Sequence, residues 1–315
     1  MSDLRALLAE QRPEVLRHCY RMLGCFADAE DLAQDALMKA WEARATWKGE
    51  GPFRHWLLTI ATNACLNALA KRRRLELPQT ERAPAAPGTP PQELEASRWL
   101  TPAPDARLFP DPQQAAEQRE SVALAFLAVI QRLPPRQRAV LLLKDVVGMS
   151  AEEIAAALEL SVPSVSSALH RARQAAGEPP APAEEPPPEV LREYVRSWEE
   201  RDLDRLTALL REDVILAMPP HAVWFRGVPA VVAFLRTPRF QAFWSAGVEI
   251  AVTRANGLPA LGFYSALYGG RLHSMGVTRF AGGRVAEMTV FIGPRFLFGF
   301  ALPGTTERFA GSSLS

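Results

Sequence analysis

"MSAEEIAAALELSVPSVSSALHRARQ", residues 149–174, reads as two helices joined by a tight turn. Ser150 and Glu153 have the spacing of a capping box that starts the first helix. Ile154, Ala155 and Leu158 fall on its inner face, and the small Ala155 lets a second helix come close. Leu160 plugs the turn, Ser161 is the next N-cap, and Pro163 lies in the first turn of the second helix, where a missing N–H does little harm. Val165, Ala168, Leu169 and Ala172 make the second inner stripe. That leaves Ser161, Ser164, Ser167, His170, Arg171, Arg173 and Gln174 outside. Small polar residues at the start of a helix suit base edges, and a basic end suits phosphates. Glu159 sits where the turn favours glycine with positive φ, at a cost of roughly 1 kcal/mol. The segment is a helix-turn-helix; the plainer alternative is a helical hairpin inside a core.

Working outward, the charge is the first puzzle. The chain has 315 residues and a formal net charge of only +1. A protein that holds DNA alone usually carries a large positive excess. Either the segment is not a DNA reader or something else brings it to DNA. The length predicts two to three domains, and 48% hydrophobic with 23% charged residues is a globular composition. The start lacks the layout of a signal peptide and no apolar run is long enough for a bilayer, so a cytoplasmic location and no membrane partner are expected. Cys19, Cys25 and Cys65 fit reduced thiols in helices; His18 and Cys19 beside Cys25 lack a fourth ligand, so no metal and no cofactor are expected.

Composition divides the chain. Residues 1–78 read as helical and 79–115 as a Pro-rich, acidic linker. Residues 116–177 are helical again, and 178–188 are a second, stiffer Pro-rich spacer. From 189 the period changes: two helical stretches (189–201 and 203–211) precede strand-like runs at 214–218, 247–254, 260–268, 272–280 and 284–292.

The first segment is polarised. Residues 28–42 carry Asp28, Glu30, Asp31, Asp35 and Glu42 against Lys39, whereas 54–74 carry Arg54, Lys71, Arg72, Arg73 and Arg74 with no acid. This is the pattern of a bridge between a basic protein and a nucleic acid, or of two solvated helix faces. Ala29, Leu32, Ala33, Ala36, Leu37 and Ala40 fit an inner stripe, with Gln34 outside. After a loop with Trp47 and Lys48, a second stripe runs through Leu57, Ile60, Ala61, Ala64 and Ala68. Arg54, His55, Thr59, Thr62, Asn63 and Asn67 are left outward. Trp47, Phe53 and Trp56 among cations and amides suit unstacked bases; core is the alternative, more so for Phe53 and Trp56 than for the loop residue Trp47.

These residues carry a resemblance. "DAEDLAQDALMKAW" (28–41) resembles the polymerase-binding helix of sigma-70 family RNA polymerase sigma factors of the two-domain extracytoplasmic-function type. "FRHWLLTIATNACLNALAKRRR" (53–74) resembles their −10 recognition helix, and residues 133–173 resemble their −35 reading domain. The resemblance implies a transcription initiation factor with core RNA polymerase and promoter DNA as partners. Asp28, Glu30, Asp31, Gln34 and Asp35 would meet polymerase. Trp47, Lys48, Arg54, Thr59, Asn63, Asn67, Lys71, Arg72, Arg73 and Arg74 would capture the melted −10 element. Residues 161–173 would enter the −35 major groove, and the linker 79–115 would thread the polymerase cleft. The modest net charge then makes sense, because polymerase supplies most of the non-specific affinity. Where the family often has basic residues, this chain has Ser166, Ser167 and Ala168, so no −35 preference carries over.

Residues 189–315 predict an α+β cone. "VWFRGVPAVVAFL" (223–235), "GGRVAEMTVFI" (282–292) and "FALP" (300–303) resemble the SnoaL-like, cystatin-like domain related in fold to ketosteroid isomerases and polyketide cyclases. Catalysis there would need a positioned carboxylate or histidine facing an apolar pocket. Asp213, His221, Tyr264 and His273 are the candidates, and none lies in a recognised motif, so no enzyme activity is expected. The aromatics Trp224, Phe225, Trp244, Phe263 and Phe291 read as core, with the wall of a small-molecule pocket as the alternative; Trp224, Tyr264, His273 and Phe291 are the residues named for a pocket holding an unidentified small ligand. The resemblance implies that this domain contacts the sigma domains and regulates them in cis. The whole is a multidomain chain, two all-α domains followed by the cone. The rival readings are a one-component helix-turn-helix regulator with a sensing domain, and a cyclase-like enzyme with a regulatory half.

Overall fold

The computed structural model describes residues 2–47, 49, 51–70, 74–111, 118–177 and 183–305. The chain forms two compact units, one from Met1–Leu75 with Asp105–Ala181, the other from Glu76–Pro104 with Pro182–Ser315.

In the first unit, α1 (Ser2–Leu23), α2 (Phe26–Glu42) and α3 (Phe53–Leu69) pack together. Ala29, Ala33, Ala36 and Ala40 are fully buried along α2, and such a row of small side chains lets neighbouring helices approach closely. Leu57, Leu58, Ala61, Ala64 and Cys65 face inward from α3; the expected Ile60 and Ala68 are half-buried. His18 of α1 lies fully buried under α3, its Nε2 2.8 Å from the Thr62 hydroxyl. Burial, then the nearby Arg21, pushes its pKa down to about 4. Thr62, expected outward, is therefore interior.

Helices α4 (Leu124–Gln131), α5 (Pro135–Leu141), α6 (Ala151–Leu158) and α7 (Val162–Ala176) complete the unit, with a π-helical turn over Leu142–Val147. Arg138 of α5 is buried among backbone oxygens. It donates to the carbonyls of Ile130 (3.0 Å), Gln131 (3.0 Å), Leu133 (3.2 Å) and Met22, and to the Gln131 side chain (2.6 Å). One guanidinium thus bonds carbonyls at the ends of both α4 and α1, where helix termini run short of backbone donors. Gln131 adds a bond from its amide to the Arg21 carbonyl at 3.0 Å.

The second unit is a six-stranded sheet in the order β2-β1-β6-β5-β4-β3. The strands are β1 (Leu210–Ala217), β2 (Trp224–Arg226), β3 (Val248–Ala255), β4 (Leu258–Ser265), β5 (Arg271–Ala281) and β6 (Arg284–Ile292). Only the β1–β6 pair is parallel, with Leu216 opposite Met288. Gly282 and Gly283 both have positive φ, as a two-residue hairpin turn from β5 to β6 requires. Each of the five expected strand runs overlaps a strand; β2 comes from the stretch 223–235, as does the first of two helices that sequence reading did not place. These are α10 (Val228–Leu235) and α11 (Pro238–Ser245), preceded by α8 (Pro188–Glu199) and α9 (Leu203–Ala208). Tyr194 and Trp198 of α8 join Phe225, Trp244, Phe263 and Phe280 in the core. Gly276 is where the Phe263 ring crosses β5: a Cβ there would meet it at 2.9 Å.

The expected linker is the main correction to the organisation. Residues 76–104 are part of this second unit rather than a free spacer. Glu76 and Leu100 exchange backbone bonds with the Trp99 region (Glu76 N to Arg98 O, 3.0 Å; Leu100 N to Glu76 O, 3.1 Å). Ala85 N donates to Trp224 O at 2.8 Å, Leu94 N to Pro220 O at 3.0 Å, and Ala222 N to Gln92 O at 2.8 Å. Ala103 and Asn256 exchange two bonds at 3.0 Å, one of them to the Asn256 side chain. Trp99 through Pro104 are buried without a break. The segment pairs with an exposed sheet edge and its loops, which satisfies backbone groups that β2 would otherwise leave open.

Candidate nucleic-acid interface and cavity

The helix-turn-helix is built as its residues dictate. Glu153 N donates to Ser150 Oγ at 3.1 Å, and Ser150 N to the Glu153 carboxylate at 2.6 Å. These bonds, first that from the Ser150 backbone and then that from the His55 ring, hold the Glu153 carboxyl below the usual range. Ser161 Oγ caps α7 by accepting from Ser164 N at 3.3 Å. Glu159 takes the left-handed conformation expected of the turn, φ 53° and ψ 49°. Val165, Ala168 and Ala172 are buried, and Leu169 is half-buried. Ser161, Ser164, Ser167, His170, Arg171 and Arg173 are all exposed along one side. Arg173 forms a fork with Asp145, at 2.5 and 3.1 Å.

Helix α3 is engaged on its outer side. Arg54 donates to the Val147 carbonyl, His55 Nδ1 lies 2.8 Å from Glu153, and Asn63 reaches the Ala157 carbonyl at 3.5 Å. Thr59 bonds back to the His55 carbonyl of its own helix. Asn67 and Arg74 are exposed. Trp47 packs against Phe53 and Trp56 with ring centroids 5.6 and 5.8 Å away, and all three stay half-buried. The trio is neither closed core nor a lone loop aromatic. Lys48, Lys71, Arg72 and Arg73 lie outside the described residues.

Along α2, Asp31, Gln34 and Asp35 are exposed, together with Met38 at 55%. Glu30 and Asp28 are half-buried. Glu30 is held by Arg107 at 2.6 Å and Arg12 at 3.3 Å, so it has internal work that the sequence did not indicate.

The sheet domain holds a cavity of about 550 Å³. Aromatic side chains of α10 and α11 (Phe234, Phe240, Phe243), strand residues, His221, His273 and linker residues Gly88–Pro91 line it. Burial lowers both histidine pKa values; for His221, Arg239 adds to the effect and Glu93 opposes it. His273 stacks on Tyr268 at 3.8 Å with the rings 7° apart.

Three family matches follow the chain in order: Sigma-70 region 2 over residues 7–75, Sigma-70 region 4 over 123–175, and a SnoaL-like domain over 191–288. The ECF RNA polymerase sigma factor SigG of Mycobacterium tuberculosis is 38% identical over 316 residues, spanning 96% of this chain and 84% of its own. This chain belongs to the extracytoplasmic-function RNA polymerase sigma factors. SigE of Mycolicibacterium smegmatis is 32% identical over 172 residues, 53% of this sigma factor and 58% of its own chain. The crystal structure of the Mycobacterium tuberculosis sigma factor SigJ superimposes with a TM-score of 0.58 at 23% identity, over 95% of this chain and 100% of that one, a likeness of fold.

Within this sigma factor, the residues named for a pocket divide between this cavity and the core, and Phe263 lines the cavity as well. Only His273 of the four lines the cavity. Trp224 is buried and donates its Nε1 to the Arg82 carbonyl (2.9 Å), Tyr264 donates its hydroxyl to the Pro303 carbonyl (2.8 Å), and Phe291 packs on Phe296. Period-2 alternation says which strand residues share a face but not which face opens onto a void. Asp213 is exposed beside Arg211, at 2.9 Å, far from any apolar enclosure. Phe240 and Phe243 were missed, although the aromatic density of "RFQAFW" (239–244) is a visible signal. No described helix is long and apolar enough to cross a membrane.

Proposed function

We propose that this sigma factor binds core RNA polymerase through the α2 stripe of Asp31, Gln34 and Asp35. The trio Trp47, Phe53 and Trp56, with the basic stretch 71–74 that follows α3 in sequence, then engages the melted −10 element. Helix α7 reads the −35 groove through Ser164, Ser167, His170 and Arg171. The observation that carries this reading is the open polar row of α7 in a chain that also presents an exposed acidic helix. An acidic face facing a basic partner and a polar-then-basic helix facing DNA are complementary fields. The protein acts by binding and not by turnover, in the cytoplasm where its polymerase and promoter lie. Domains 1–78 and 116–177 carry the polymerase and promoter contacts, and 189–315 regulates them in cis. Support for regulation comes from residues 76–104. This connection between the two sigma domains is hydrogen-bonded along the sheet domain's edge and loops, so the domain has a physical handle on the segment.

Co-purification with core polymerase tests the reading. The native chain is expected to bind, and Asp31→Lys with Asp35→Lys to lose binding while remaining folded. Binding that survives the double reversal refutes the α2 assignment. Equal promoter transcription by full-length chain and by residues 1–177 refutes regulation in cis.

A further inference from the structure

The cavity of the second unit has two properties that its family membership does not explain. First, it is largely apolar but is lined by two imidazole rings, each with one buried nitrogen left without a partner. His221 is buried to 7% exposure, and its Nδ1 has no hydrogen-bond partner among the described residues; neither has the buried Nδ1 of His273. Leaving such an atom unpaired costs about 1–3 kcal/mol. Both rings are neutral near pH 7, because burial lowers their pKa values from 6.5. A neutral imidazole nitrogen can accept or donate one bond, and Arg239 at the rim adds positive charge. Second, part of the wall comes from the connection between the sigma domains, which is built into this unit. Gly88, Thr89, Pro90 and Pro91 pass along it. Prolines 90 and 91 have no N–H to give, and Thr89 bonds only locally, to the Ala86 carbonyl, among the described residues. Backbone bonds anchor the connection on either side of this span, at Ala85 and at Gln92–Leu94.

We infer that the cavity is a binding site for one small, largely apolar molecule bearing an anionic or carbonyl oxygen, and that the seated molecule retains residues 88–93 on the sheet domain. The volume lies in the range of small-molecule sites, about 300–1,000 Å³. The aromatic side chains take the apolar body, and His221, His273 and Arg239 take the oxygen. A molecule that touches the 88–91 wall binds the docked segment better than the released one. Linkage then requires that it shift the segment toward docking by the same factor. The binding site stands without the sigma reading; its consequence, lower transcription when the molecule is present, rests on the proposed function.

The test uses the full chain and two probes with one apolar body, 1-anilinonaphthalene-8-sulfonate and N-phenyl-1-naphthylamine, followed by fluorescence. The sulfonate is expected to bind one per chain, about tenfold more tightly than the uncharged amine. His221→Phe with His273→Phe is expected to weaken the sulfonate about tenfold, and Pro90→Gly with Pro91→Gly about threefold. Hydrogen exchange on the native chain needs no variant: saturation with the sulfonate is expected to slow the amides of Ala85, Leu94 and Ala222 several-fold. Unchanged exchange at those three amides overturns retention of the segment. Equal affinity of the two probes, or binding indifferent to the histidines, overturns the site. None of these readouts involves polymerase or DNA, so failure here is distinct from failure of the sigma reading.

Discussion

Helix α7 keeps Ser164, Ser167, His170 and Arg171 exposed, whereas α3 has its outward Arg54, His55 and Asn63 turned to the backbone and side chains of Val147, Glu153 and Ala157. In the proposed reading both helices meet promoter DNA. Their own sequences do not distinguish them: each has an apolar stripe, an outward polar side and a basic end. The difference lies in what packs over them. Helix α3 is held from beneath by α1 and bonded to the helix-turn-helix region through Arg54, His55 and Asn63, while the outer side of α7 remains open. A polar outward pattern therefore identifies a surface suited to contacts and leaves open whether the protein itself is using it.

Four measurements break or sharpen that contrast. Removal of Arg138 strikes the polar seam between α1 and α5, part of what keeps α3 engaged. Arg138→Ala removes the donor to the Gln131 and Leu133 carbonyls and empties a buried site, and is expected to cost roughly 4 kcal/mol in urea unfolding, with faster exchange at α3. A loss below about 1 kcal/mol would mean that water or neighbours replace the guanidinium. Acid loosens α3 from beneath. His18 titrates near 4 in the folded chain and near 6.5 unfolded, so the unfolded chain takes up the extra proton as pH falls. The contribution is complete above pH 6.5 and is lost toward pH 4, about 3 kcal/mol in all. Unfolding free energies at pH 7 and 4.5 check it, and His18→Gln should flatten that profile.

The acidic stripe of α2 should behave like α7, as an open surface. Asp31→Lys with Asp35→Lys is expected to weaken polymerase binding about 100-fold, about 2.7 kcal/mol, with thermal stability nearly unchanged. Loss of both together would place these carboxylates in the fold instead. The smallest effect lies in the turn that presents α7. Glu159→Gly relieves a left-handed residue and is expected to add up to about 1 kcal/mol, without altering the exposed row. A loss of stability would show that the Glu159 side chain compensates its own strain.

What could be read in advance follows the range of the interactions. The capping box of Ser150 and Glu153, the cap at Ser161, the strained Glu159 and the glycine pair before β6 are decided within a few residues, and each appears as its chemistry demands. The linker defeated the reading because Pro-rich, acidic composition describes a solvated chain equally well as one that lines a sheet edge. Nothing local to Trp99–Pro104 names Asn256 or Glu76 as its partner. The internal ion pairs of Glu30 were hidden for a similar reason, since Arg107 lies 77 positions away. Of the residues read from the sequence as facing a pocket, His221 and His273 line the cavity, because its wall is assembled from three helices, four strands and the linker together.

The exposed row on α7 has a consequence for ionic strength. It offers few cations, and one of them, Arg173, is already forked onto Asp145. Each phosphate neutralised by a protein cation releases about 0.9 of a condensed counterion, which sets the slope of log K against log salt. With Arg171 alone the slope contributed by this helix would be near −0.9, and with Arg173 released from Asp145 near −1.8. So shallow a dependence means that α7 gains little from the counterion entropy that drives most DNA binding. In the proposed reading, its preference for one promoter over another would come from the fit of small side chains against bases, a fit that salt does not erase.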